Sequence, residues 1–238
     1  MTQRTAGTTA LAAACTGLVL VPNLGALLGP GEQTDRYDTV VTPPDYAFVV
    51  WAPIFAACAA DAVGRWRRPG DAPVSDHATA LPLTVAYTLN TAWSVAAQTD
   101  RFRFTPSLLT GAAASAALAH RRVQAQVRPR PSTVLATGLL LGWTSLASAV
   151  NLAADVVRRG APRESTPAVA TGALGVGAVT TLLAGTVARS RYGALPLAAS
   201  AGWGLLTAAA DHRRPAGVRL LAAASAAALA AAATRAPG

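Results

Sequence analysis

Residues 131–154 read PSTVLATGLLLGWTSLASAVNLAA, twenty-four positions without a charged side chain. A helix of that length rises about 36 Å, more than the ~30 Å hydrocarbon core of a bilayer. The pattern extends outward from this segment in both directions. Uncharged stretches also run from Gly7 to Gly31, Tyr46 to Ala60, Ala78 to Thr99, Ser165 to Ala188 and Tyr192 to Ala210. Charged residues are 13% of the chain, against roughly 25% in ordinary globular domains, and they cluster between these stretches. Eight candidate spans follow: 8–29, 45–64, 78–98, 105–120, 132–155, 166–187, 192–210 and 217–234. The fold class is therefore an all-α integral membrane protein.

The net charge of +9 does not point to nucleic acid. All the basic residues are arginine, and most lie just outside the apolar runs, as in Arg65-Trp66-Arg67-Arg68, Arg121-Arg122 and Arg158-Arg159. Span-end arginines satisfy the positive-inside rule and meet anionic headgroups, so membrane lipids are the expected partners of this charge. With the N-terminus cytoplasmic, Arg4, Arg65, Arg67, Arg68, Arg121, Arg122, Arg128 and Arg130 fall inside; Arg36, Arg101 and Arg103 fall outside. The bias ends after the fifth span, where Arg158, Arg159, Arg163, Arg213, Arg214 and Arg219 fall on the outer side.

Metal and catalytic motifs are not evident. Cys15 and Cys58 sit in apolar runs and read as small core residues; they make neither a disulfide framework nor a zinc site. His77 and His212 read as loop residues and His120 as a helix end, none with a second ligand at metal spacing. Asp61 with Arg65, and Asp155 with Arg158, read as snorkelling ion pairs near span ends, with a proton relay as the alternative. Pro53, Pro82 and Pro196 fall inside spans and could kink them. Pro43-Pro44 stiffens the approach to the second span, either as a rigid lid or simply as a helix start.

Trp51, Trp93, Trp143 and Trp203 lie within spans, whereas Trp66 reads as an interfacial residue. Asn90 and Trp93 share one helix face by their spacing of three, and Trp143, Ala147 and Asn151 share another at fours. An amide in hydrocarbon needs partners inside the bundle, so both faces should point inward. Two readings stay open: an aromatic ligand cavity with a few polar groups, or interhelical hydrogen bonding and packing. Gly138 and Gly142, like Gly25 and Gly29, form small-residue pairs of the kind that let helices approach closely; in a chain this rich in Ala and Gly they carry little weight.

Three segments together resemble the tryptophan-rich sensory protein family (TspO/MBR), also called the translocator protein or peripheral benzodiazepine receptor family. They are Pro43-Pro44-Asp45-Tyr46-Ala47-Phe48-Val49-Val50-Trp51 with Phe55, then Leu89-Asn90-Thr91-Ala92-Trp93-Ser94, then Trp143 through Ala147 to Asn151. Phe48 and Trp51 are three apart where better-known members have four, and Phe55 stands where tyrosine is usual. Roughly eighty residues follow Asn151, where those members end. Asn23, Thr42-Pro43, Tyr46 and Leu141-Gly142-Trp143 agree with a longer branch.

The resemblance implies a TspO-like five-helix bundle over residues 1–155, followed by about three further transmembrane helices over 156–238, in a bacterial cell membrane. It implies a non-enzymatic sensor or carrier of a flat hydrophobic ligand such as a porphyrin or sterol-like molecule, and it allows a homodimer. The ligand would meet Trp51, Asn90, Trp93, Trp143, Ala147 and Asn151 under a lid of Pro43, Pro44, Tyr46 and Phe48. No resident cofactor or metal is expected. Without a well-placed axial ligand, a metal-free macrocycle should be recognised about as well as haem. The alternative is a small-solute permease whose path the C-terminal helices complete, with Thr166, Thr171, Thr180, Thr181 and Thr186 as its polar lining. Degradation of a bound pigment, proposed for some relatives, is a third reading.

Overall fold

The computed structural model describes residues 3–29, 31–32, 34–67 and 74–237. Arg68, read as one of the span-end arginines, lies outside the described residues. Eight α-helices occupy the described chain: α1 Gln3–Leu28, α2 Trp51–Arg67, α3 Val74–Gln98, α4 Thr105–Gln124, α5 Pro131–Arg158, α6 Thr166–Arg189, α7 Ala194–Ala210 and α8 Ala216–Ala233. Short 3-10 turns cover Thr34–Tyr37, Asp45–Val50 and Phe102–Phe104. Five segments are long and apolar enough to cross a membrane: Ala6–Leu28, Asp45–Arg67, Pro131–Arg158, Thr166–Arg189 and Ala216–Ala233. The protein is an all-α integral membrane bundle.

Helix α5 is its axis. Apolar and small residues line most of its faces, and most of them are buried, with Leu135 and Leu152 left on its outer surface. Three of its hydroxyls need no outside partner, because Thr137, Thr144 and Ser148 each donate to the carbonyl four residues back. Two rings of helices share this axis. One runs α1, α2, α5, α4, α3 and back to α1; the other runs α5, α6, α8, α7 and back to α5. Gly142 lets α7 press against α5, since a β-carbon there would collide with the Leu197 carbonyl and the Ser200 hydroxyl. The small-residue pair at Gly138 and Gly142 is thus a packing seam, despite its low weight as a motif.

Three details differ from the sequence reading. Pro53 and Pro196 fall in the first turns of α2 and α7, where a missing N–H costs nothing, so only Pro82 of the three lies deep in a helix; Pro22 does so in α1. Position 77 belongs to the start of α3, not to a loop. The Asp61–Arg65 pair does not snorkel. Both side chains are buried between α2, α3 and α5, with Arg65 Nε donating to Asp61 Oδ2 at 2.8 Å. The guanidinium also donates to Thr79 (2.9 Å) and Thr133 (3.1 Å), and Thr133 donates to Asp61. Arg65 turns inward because hydroxyls on two neighbouring helices offer it acceptors there. Arg158 and Arg159 pair with Asp155 nearer the surface, as expected of a helix end.

Candidate functional site

Two cavities meet at the start of α2. The Asp45–Val50 turn begins after Pro44, whose extended backbone (φ −66°, ψ 158°) delivers the chain to the bundle. The turn sets Phe48 beside Trp51. Phe48 meets the Trp143 ring edge-on at 5.7 Å between centroids, Trp51 meets it edge-on at 6.4 Å, and Trp51 stacks on Phe55 at 5.2 Å. Together with Trp93, Phe48 and Trp51 line both cavities and form the wall between them.

The smaller cavity, about 40 Å³, lies on the α5 side and is lined by Pro43, Trp143, Ala147 and Asn151 among others. That volume holds a water molecule or two and no flat ligand. Asn151 has both its oxygen and its nitrogen engaged here. It accepts from Trp93 Nε1 at 3.2 Å and donates to the Ala147 carbonyl at 3.0 Å, bonding α3 to α5. The Trp143 indole N–H is buried without a partner.

The larger cavity, about 280 Å³, lies between α1, α2, α3 and the loop after α1. It is lined by Leu18, Pro22, Ala26, Phe48, Trp51, Phe55 and Trp93, with Asn23, Glu32, Asn90 and Ser94 as its polar members. Asn90 gives its amide hydrogen to the Ala86 carbonyl, while its Oδ1, on a residue only 2% exposed, has no partner. Glu32 accepts from the Ser94 hydroxyl at 2.5 Å. Burial pushes the Glu32 carboxyl above its ordinary value of 4.5, against the lowering effect of the Ser94 bond.

The residues expected at one site therefore divide. Trp51 and Trp93 serve both cavities, Trp143, Ala147 and Asn151 the small one, and Asn90 the large one. Of the expected lid, Phe48 lines both cavities and Pro43 the small one; Pro44 is buried and lines neither, and Tyr46 is exposed and lines neither. Glu32 stands with Asp35 and Asp38 in an acidic loop, and no periodicity or spacing there marks it for a cavity wall. Trp203 was read as a span residue, but its partner was not foreseen: its indole donates to the Ala47 carbonyl at 2.8 Å. Arg214, after α7, holds Asp38 at 3.0 Å and the Thr39 carbonyl at 2.6 Å. Two contacts from the second ring thus hold the loop that carries Pro43 and Phe48.

A family model described as TSPO-like protein matches residues 10–235, from α1 to beyond the end of α8. The chain belongs to the TSPO-like protein family. No curated protein and no solved structure matches it. Family membership indicates a membrane protein of ligand-binding or transport type, in a family that is generally non-enzymatic.

Proposed function

We propose that this protein is a non-enzymatic sensor or carrier that binds a flat hydrophobic molecule, of tetrapyrrole or sterol-like shape, in the larger cavity. The observation that carries this reading is Asn90 Oδ1, a buried acceptor without a partner on the wall of an aromatic cavity of about 280 Å³. Leaving such a group unpaired costs about 1–3 kcal/mol, a cost that a ligand hydrogen bond would remove. The volume sits at the low edge of small-molecule sites, roughly 300–1,000 Å³. A full macrocycle would need the Phe48–Trp51 wall to swing toward the smaller cavity, where the Trp143 N–H also awaits an acceptor.

The permease reading draws less support. Thr181 and Thr186 face outward and donate to carbonyls of their own helix, and Thr166 is exposed. A void lined by residues of α6, α7 and α8 is about 10 Å³ and apolar. The test is quenching of tryptophan fluorescence by the dimethyl ester of protoporphyrin IX, whose acid groups are masked, and by a fluorescent sterol in detergent. Saturable quenching that Trp51→Ala abolishes supports the reading. Linear quenching, unchanged in that variant, rejects it.

A further inference from the structure

The larger cavity has a chemical polarity that narrows its ligand, on the premise that this cavity is the binding site. Its amide and hydroxyl groups are uncharged, and each already donates one hydrogen bond within the protein. Asn90 Nδ2 donates to the Ala86 carbonyl at 2.8 Å, Asn23 Nδ2 to the Val19 carbonyl at 2.6 Å, and the Ser94 hydroxyl to Glu32 at 2.5 Å. Neighbouring Gln98 Nε2 is spent on Ser94 (2.9 Å) and the Val21 carbonyl (3.2 Å), and Trp93 Nε1 on Asn151. The charged group of the lining is the Glu32 carboxylate, and Asn90 Oδ1 is an acceptor without a partner. No arginine or histidine is among the described residues lining the cavity. Its apolar walls are the rings of Phe48, Trp51, Phe55 and Trp93, whose negative faces attract cations.

We propose that the preferred ligand is a flat hydrophobic amine, whose ammonium group pairs with Glu32 and Asn90 while its ring system lies among Trp51, Phe55 and Trp93. An acid-bearing ring system of the same size is disfavoured. Its carboxylate would face Glu32 with no cation to offset the repulsion, in a site that water screens poorly. Glu32 is thus the residue that sets ligand charge, and Asn90 orients the donor.

Three probes that share one ring system separate the charge preference from binding itself: pyrenemethylamine, pyrenemethanol and pyrenecarboxylate. Energy transfer from protein tryptophan to pyrene reports occupancy in a zwitterionic detergent. The amine is expected to bind at least about tenfold more tightly than the carboxylate, the scale of one charge-assisted hydrogen bond. Glu32→Gln, isosteric and still able to accept from Ser94, should erase most of that difference while the alcohol binds as before. Asp45→Asn, an exposed carboxylate outside the cavity lining, is the control and should change nothing. Equal binding of amine and carboxylate, or an unchanged preference in Glu32→Gln, overturns the charge rule and leaves the cavity reading standing. Failure of all three probes to bind saturably overturns the cavity reading and this inference together.

Discussion

Trp93 of α3 donates its indole N–H to Asn151 of α5, while Asn90, three residues earlier on α3, keeps a buried oxygen without a partner. Two amides with the same apparent role in the sequence therefore do different work. Asn151 joins helices, and Asn90 holds a buried acceptor without a partner. Asn151→Leu should strip the Trp93 N–H of its acceptor and destabilise the bundle by about 1–3 kcal/mol. Asn90→Leu should leave stability unchanged or raised, because it removes an unpaired polar atom, yet abolish ligand binding. Thermal unfolding in detergent, paired with the quenching titration, reads both; equal destabilisation by the two substitutions would contradict the division.

If the larger cavity binds an amine as proposed, Glu32 should make its affinity depend on pH in a stated direction. It is the titratable group among the described residues of the cavity wall, and burial raises its carboxyl above 4.5. An amine should lose affinity as acid protonates Glu32, beginning above the ordinary carboxylate range, while a neutral alcohol on the same ring should not. Stability runs the opposite way. A carboxyl whose folded value is raised favours folding at low pH, and that contribution is lost as pH rises through the folded value. Glu32→Gln should accordingly raise the melting temperature at pH 7.5 and have little effect below pH 4. A variant that melts lower at neutral pH would show the carboxylate to be a structural partner instead.

The buried Asp61–Arg65 pair should be intolerant of half-removal. Asp61→Asn leaves an uncompensated guanidinium among α2, α3 and α5 and should cost about 3–5 kcal/mol. Asp61→Leu combined with Arg65→Met should recover most of that loss. A proton-relay role would instead make the double variant stable but inactive in any proton-coupled transport assay, which separates the two readings.

Crowding at Gly142 predicts a graded response. Gly142→Ala forces α5 and α7 apart at the Leu197 carbonyl and should cost about 1–3 kcal/mol. Gly202→Ala, with nothing within 4 Å of its added carbon, should be neutral within about 0.5 kcal/mol. Equal effects would mean the seam is not tight.

Arg214→Ala should release Asp38 and the Thr39 carbonyl, and Trp203→Phe should release the Ala47 carbonyl. Both should speed amide exchange over residues 38–48 without unfolding α6–α8. If exchange there is unchanged, the second ring does not restrain the loop.

Helix number and placement could be read from residues alone, because the bilayer demands uninterrupted apolar segments of fixed length and α5 carries that signature over its whole run. The Trp and Asn spacings likewise showed which residues share a helix face, since 3.6 residues per turn is a local property. Whether an amide on that face meets a helix, a cavity or another amide depends on which neighbour the fold brings up against it. Asn90 and Asn151 look alike in sequence and differ only in that. Glu32, Trp203 and Arg214 acquire their roles through partners far along the chain, at Ser94, Ala47 and Asp38. Hydrogen bonds of that kind are set by distance in space, to which residue spacing along a helix gives no access; only the packing of the two rings around α5 decided them.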